Sequence, residues 1–202
     1  MDSELRREQI LEHAARIVSQ RGYYGFGIQE LARDCGLTNG GLLYYFGSKE
    51  GLLIALLQDR DRRDTEAIAA AAGLSEHDSR KRLSLEEVIK LFRAMVKRNS
   101  AEPELVRLYT VLRAEALNRG HPAREYFLAR EAKALEAFTQ MVTPFVKHPS
   151  STARQLLVFM NGLEEEWLRT DQGFELLTEW DRGVALLLPR GRKPGHHRPR
   201  AG

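Results

Sequence analysis

Apolar residues recur along this chain at helical spacing, and no segment sustains the every-second-residue alternation of a half-buried strand. From Leu5 to Gln20 the stripe is Ile10, Ala14, Ile17 and Val18, flanked by Leu11 and Ala15, with Arg6, Arg7, Arg16 and Arg21 at more exposed positions. The spacing predicts an amphipathic support helix that follows a frayed start at residues 1–4. Gly22-Tyr-Tyr-Gly-Phe-Gly27 reads as a turn with aromatic plugs. It is not a nucleotide loop, because no strand precedes it and no Lys-Ser/Thr follows. Ile28, Leu31, Ala32 and Cys35 then mark a short helix that Gly36 ends, and after Leu37 a second short helix starts at Thr38.

Beyond Ser48, residues Leu52, Leu53, Ala55, Leu56 and Leu57 carry a helix into the charged run Asp59-Arg-Asp-Arg-Arg-Asp64, which reads as a solvated hinge. Gly73 to Ser84 is the candidate linker. Leu85 to Val96 form one body helix, and Pro103 opens another with Leu105, Leu108, Tyr109 and Leu112 on its apolar face. Gly120-His-Pro122 starts a third, ended by Pro149. The last two, over roughly 151–169 and 173–188, have apolar faces wider than one internal stripe requires. The chain is thus expected to be all-α. Residues 1–47 form a small three-helix, helix-turn-helix domain, 48–72 a connecting helix, 73–189 a larger helical domain, and 190–202 a disordered basic tail.

The stretch from Cys35 to Glu50 carries the most chemistry. Gly40 and Gly41 fall in the first turn of the second short helix, each costing about 1 kcal/mol of helix propensity relative to Ala. A groove explains them, since an absent side chain lets backbone approach base edges while Thr38 and Asn39 hydrogen-bond there. Leu42 and Phe46 face inward; Tyr44 and Tyr45 have phenols long enough to reach flanking phosphates. Ser48 caps the next helix, beside whose positive end Lys49 can meet a phosphate. The same pattern also fits a helix-turn-helix that never touches DNA, because Tyr-Tyr-Phe runs serve cores and interfaces as well.

Charge leaves that question to placement. The chain is +3, but Arg190, Arg192, Lys193, Arg198 and Arg200 lie in an acid-free tail, and without them residues 1–189 carry −2. Residues 1–60 hold seven Lys or Arg against eight Asp or Glu. DNA binding therefore requires Glu8, Glu12 and Asp59 to face away from the duplex, and two copies to supply enough phosphate contacts. The tail offers at most weak nonspecific attraction to DNA.

Residues 6–57, from Arg6-Arg-Glu-Gln-Ile-Leu-Glu-His-Ala-Ala through Gly22-Tyr23 and Leu31-Ala32 to Tyr44-Tyr-Phe-Gly-Ser-Lys-Glu-Gly-Leu-Leu53, resemble the amino-terminal domain of the tetracycline-repressor (TetR) family. That resemblance implies a helical homodimer that binds double-stranded operator DNA and lets go when a small molecule fills a pocket in the larger domain. It implies base contacts at Thr38, Asn39 and Gly40, with Gly41 in the same turn, and phosphate contacts at Tyr44, Tyr45 and Lys49. Two positions depart from the pattern. Gly27 stands where the family commonly has a capping Thr or Ser, and Leu43 where it often has a phosphate-binding Tyr. The resemblance also pairs the last two helices with their symmetry mates, Gly162-Leu163 and Trp167 echoing a family pattern. Leu156, Phe159, Leu163, Leu177, Trp180 and Val184 are the candidates for that interface.

Catalytic chemistry is not expected. The six histidines make no His-x-x-x-His spacing, no Cys-x-x-Cys occurs, and neither a Gly-x-Ser-x-Gly elbow nor a phosphate loop is present. Glu164-Glu-Glu166 reads as a solvated helix run, and Cys35 as a small buried hydrophobe. No metal or cofactor is expected. No apolar run is long enough to span a membrane and no export signal opens the chain, so a cytoplasmic protein is expected. Phe92, Met95, Tyr109, Leu112, Phe127, Met160 and Trp167 are candidate walls of a cavity for a largely apolar effector, with Arg113, Asn118 or Asn161 as polar handles. The function expected is ligand-responsive DNA-binding regulation, most simply repression; the alternative is a helical ligand-binding or protein-interaction module.

Overall fold

The computed structural model describes residues 3–72 and 83–188. The basic tail and all but the end of the expected linker lie outside them. The described residues form nine helices and no strand. These are α1 (Ser3–Arg21), α2 (Ile28–Asp34), α3 (Asn39–Phe46), α4 (Lys49–Ala72), α5 (Leu85–Ala101), α6 (Pro103–Glu115), α7 (Arg124–Val142), α8 (Pro149–Arg169) and α9 (Leu176–Leu187).

Local chemistry sets most of the boundaries. Gly36, at φ +64, turns the chain between α2 and α3, a conformation that costs a residue with a Cβ. Ser84 and Glu87 close a reciprocal capping box on α5. Pro103 and Pro149 occupy first-turn positions of α6 and α8, where a missing N–H leaves no bond unmade. The structure corrects one expectation here. Helix α7 stops at Val142, before Pro149 is reached, and that proline starts α8 instead of ending α7.

Two buried clusters organise the packing. One joins Ile10, Leu11 and Ala14 of α1, Leu31 of α2, Leu42 of α3, and Leu52, Leu53 and Leu57 of α4. It continues without a break onto Leu108 and Leu112 of α6 and Phe127 of α7. The other fills the space among α5, α7, α8 and α9 around Phe92, Phe138, Leu156 and Trp180. In that second cluster a Cβ on Gly183 would lie 2.2 Å from the Phe159 ring, which stacks on Trp180.

The small domain is fastened to α6 at a second place. The Glu115 carboxylate accepts the Tyr23 N–H at 2.8 Å, and a Cβ on Gly22, whose φ is +69, would lie 2.2 Å from Glu115 Oε1. Buried His121 lies 3.5 Å from the same carboxylate and packs edge-on against the Tyr23 and Tyr24 rings.

A carboxyl group sits inside the larger domain. Glu164 of α8 is 7% exposed and accepts a 2.6 Å hydrogen bond from Asn99 Nδ2 on α5. Only Glu165 and Glu166 of the acidic run behave as expected of a solvated face, both pairing with Arg169. Burial pushes the Glu164 carboxyl up to about 7, against the Asn99 hydrogen bond and the charges of Arg113, Arg130 and Arg60, which pull it down. The folded chain thus holds this proton more tightly than the unfolded chain does. The stability so gained is complete below about pH 4.5 and is lost as pH rises through about 7. Glu164→Gln, which cannot ionise, is expected to lack this loss. Between pH 5 and 8 its stability should gain on the wild type by on the order of 2–3 kcal/mol, read from denaturation curves at each pH. Parallel pH profiles for the two proteins would contradict the assignment.

Candidate DNA-reading surface and effector cavity

Helix α3 is short, and none of its eight residues is charged. Thr38 is extended at its N-cap, and its hydroxyl accepts the Gly41 N–H at 3.0 Å. Leu42 and Phe46 anchor the inner face in the core, and Gly47, at φ +75, ends the helix. The outer face is bare. Thr38, Asn39 and Gly40 are exposed, and Tyr44 is 86% exposed. A Cβ on Gly40 would meet nothing nearer than Thr38 Oγ1 at 4.0 Å, so no contact within the chain requires glycine there. Gly41 is tighter, with Thr38 Oγ1 at 3.3 Å, and its glycine serves the cap.

The expected phosphate contacts divide into two kinds. Tyr44 projects outward, and Tyr45 lies half-buried against the core with the two rings edge to face at 5.8 Å. The Lys49 ammonium lies 4.5 Å from the centroids of both Tyr23 and Phe26. Desolvation there lowers its pKa, with Glu50 and Glu115 acting in the opposite direction. Ring faces accept no N–H in the manner of an oxygen, so this seat leaves the donors of Lys49 available to one. Ser48 caps α4 through the Gly51 N–H at 3.0 Å. Gly27 precedes α2 with no side-chain cap. Arg6 and Arg7 are partly engaged within the domain, Arg6 donating to the Cys35 carbonyl and Arg7 lying over the Phe46 ring. The acids face other cations: Glu12 lies 3.8 Å from Arg63, and Asp59 pairs with Arg62 and Arg63.

A half-open cavity of about 720 Å³ lies among α4, α5, α6, α7 and α8, a size that suits a small-molecule site. Of the residues expected to line it, Met95, Tyr109, Arg113, Phe127, Met160 and Asn161 do so. Phe92, Leu112 and Trp167 do not; Phe92 packs on Phe138, and all three are closed into the cores. Asn118 lies in the turn after α6, where its side chain accepts the Gly120 N–H.

The polar part of the cavity comes partly from a stretch whose pattern is that of a solvated face. Arg60, Asp61 and Asp64 line it, yet they belong to the run expected to be a solvated hinge. Arg60 is buried and pairs with Asp64 and Glu102, each at 2.8 Å. Arg130 Nε donates to Asp61 at 2.9 Å, and both the Tyr109 and the Tyr126 hydroxyls reach the same carboxylate. Glu164 and Asn99 line it as well. A signal was present in the spacing. Leu53, Leu57, Arg60, Asp61 and Asp64 continue one stripe of α4, and Glu164 falls one turn from Met160 and one from Trp167.

On α8 and α9, Leu156, Trp180 and Val184 are buried inside the chain, where wide apolar faces serve the core, and so are unavailable to a partner. Phe159, Leu163 and Leu177 are half-buried, while Val158 is 65% and Leu186 83% exposed. No helix among the described residues is long and apolar enough to cross a membrane.

Residues 10–56 match the model of bacterial regulatory proteins of the tetR family. The repressor AcnR of Corynebacterium diphtheriae is 34% identical over 65 residues, 32% of this chain and 34% of its own length. The chain thus spans about a third of that relative. The transcriptional regulator FadR from Bacillus subtilis, solved in complex with stearoyl-CoA, has the same fold at a TM-score of 0.73, with 14% identity over 92% of this chain and 99% of that one. AibR, solved in complex with isovaleryl coenzyme A and operator DNA, superposes at 0.67, with 22% identity over 91% and 98%. The tetR-family match thus covers residues 10–56, from α1 into α4, on a fold that these solved structures share along nearly the whole length.

Proposed function

We propose that the protein is a ligand-responsive transcriptional repressor. Two copies read a palindromic duplex through α3 and release it when a small molecule enters the cavity beside α4. The observation that carries this reading is Gly40, exposed in the first turn of an uncharged helix, with no neighbour in the chain that excludes a side chain. A residue costly to the helix and idle in the fold makes sense against an external surface that needs close backbone approach. Thr38 and Asn39 stand beside it to hydrogen-bond base edges; Tyr44, Tyr45 and Lys49 stand where phosphates flank the groove. AibR, which shares this fold, was solved with operator DNA.

The dimer belongs to the same proposal. A lone reader makes too few phosphate contacts for useful affinity, and the half-sites of a palindrome lie about 34–36 Å apart. Val158 and Leu186 are the apolar side chains that α8 and α9 leave in solvent, and Phe159, Leu163 and Leu177 extend the faces they occupy. The cavity supports the effector part of the reading, since a binding-sized space touches the helix that leaves the reader.

The first experiment is selection of bound duplexes from a random-sequence pool at stated salt. Enrichment of a palindrome supports the proposal; enrichment of nothing favours a ligand-binding or interaction module, the reading to which Gly27 and Leu43 lend weight. On the selected duplex, Asn39→Ala is expected to relax sequence preference by about 1–3 kcal/mol at the contacted position. Lys49→Ala should weaken all sequences alike and lower the salt slope by about one per reader. Gly40→Ala is expected to raise thermal stability, by up to about 1 kcal/mol, while weakening DNA binding. A Gly40→Ala protein that binds as tightly as the wild type would remove the central support. In sedimentation, Val158→Glu and Leu186→Glu should shift the protein toward monomer and reduce DNA affinity with it.

A further inference from the structure

The cavity contains an unusual arrangement at the foot of its α4 wall. Three groups from α6 and α7 converge on one turn of α4. The Tyr109 and Tyr126 hydroxyls reach both the Leu57 carbonyl, at 3.1 and 3.0 Å, and the Asp61 carboxylate, while Arg130 donates to Asp61 and lies 4.6 Å over the Tyr109 ring. Each phenol has a single proton to give. Burial works against charge on Asp61, but Arg130 and the two phenols overcome it and hold its pKa below the usual carboxylate range. All four residues also face the cavity. A ligand inside it therefore sees donors that are currently spent on the shaft of the reader.

The remaining polar lining indicates what kind of ligand competes for them. Arg113 and Lys133 face the cavity, and among the described residues neither makes a hydrogen bond or ion pair. Of its other charged groups, Arg60 pairs with Asp64 and Arg130 with Asp61, while buried Glu164 accepts from Asn99 with Arg113, Arg130 and Arg60 near enough to act on its charge. Most of the remaining wall is apolar, including Met95, Val106, Phe127, Phe138 and Leu157. A cationic ligand would meet unpaired cations; an anion with a hydrocarbon part meets Arg113, Lys133 and an apolar wall together.

We propose that the effector is an amphipathic anion whose charged group takes the place of Asp61 on Arg130, Tyr109 and Tyr126, and so releases the Leu57–Asp61 turn of α4 from α6 and α7. The inference rests on the reading of the cavity as the effector site. It adds the ligand's charge and the contact it breaks. Asp61, one third exposed, can turn to water when displaced, so the exchange strands no buried charge. Carboxylates and acyl-CoA thioesters share the required chemistry, an acidic group on an acyl chain.

The test uses laurate, lauroyl-CoA and dodecyltrimethylammonium below their micelle concentrations, with binding read by calorimetry on the full chain without DNA and release read on the selected duplex. At least one anion is expected to bind and release DNA, and the cation to do neither; which anion does so distinguishes the free acid from the thioester. Asp61→Asn removes the competing charge, so it should bind the active anion about tenfold more tightly and the duplex correspondingly more weakly in the absence of ligand. Tyr126→Phe should also weaken the duplex, but it should weaken the anion as well, because the phenol serves both partners. That opposite response to the anion separates competition from loss of structure, which would move both variants the same way. Unchanged anion affinity in Asp61→Asn, or equal binding of the cation, overturns the proposal. If the active anion still releases DNA from the wild type while Asp61→Asn behaves normally, the cavity remains the effector site and only the clamp falls. The calorimetry requires no duplex, so failure of DNA binding leaves the clamp to be judged separately.

Discussion

Helix α4 is held at two places along its length, and the two attachments differ in kind. Toward its start, Leu52, Leu53 and Leu57 are almost fully buried among α1, α2 and α3, and each such side chain contributes about 1.5–3 kcal/mol through burial. One turn later the same stripe carries Arg60, Asp61 and Asp64, held to α5, α6 and α7 by hydrogen bonds and ion pairs. Each of these bonds has a charged partner, a kind worth a net of about 1.5–3 kcal/mol, and a ligand offering similar groups can replace it. The apolar end shares the core of the small domain, which itself continues onto α6 and α7. The polar end is where a small molecule can compete, which gives the helix a fixed half and an exchangeable half.

The reader was legible in the sequence because its determinants are local. Gly36 and Gly47 both sit at positive φ, Thr38 and Ser48 both cap the helices that follow them, and Leu42 and Phe46 both point inward. Each of these facts depends on residues within one or two turns. The polar side of the cavity was not legible, since a buried charge is recognisable only with its partner. Asn99 is far from Glu164 in the chain, and Tyr109, Tyr126 and Arg130 are far from Asp61. Seen without those partners, a charged run on a helix looks solvated. Apolar residues fail differently: Phe92, Leu112 and Trp167 carry the same periodicity whether they face a cavity or a core, and so do Leu156, Trp180 and Val184 whether they face a partner or their own chain.

The same contrast separates the two parts of the chain: residues 10–56 match a family model, while solved structures of like fold share the rest mainly as shape. A surface that docks on a duplex must meet phosphates and base edges at set positions, which constrains residue type. A helical body must only bury apolar stripes, and many sequences do that equally well. Gly40 illustrates the first constraint and Gly183 the second. One has open space around it within the chain; the other has the Phe159 ring where its Cβ would be.

The most direct test of this account is the separation between the two readers. A spin label at Arg33→Cys, on the exposed side of α2 in a Cys35→Ala background, reports it by dipolar spectroscopy in the free dimer, on DNA, and with the active anion. The account predicts one narrow distance on DNA, fitting half-sites one helical turn apart, and a shifted or broadened one with the anion that Asp61→Asn reproduces without it. Release of DNA by the anion with no change in that distance would contradict it.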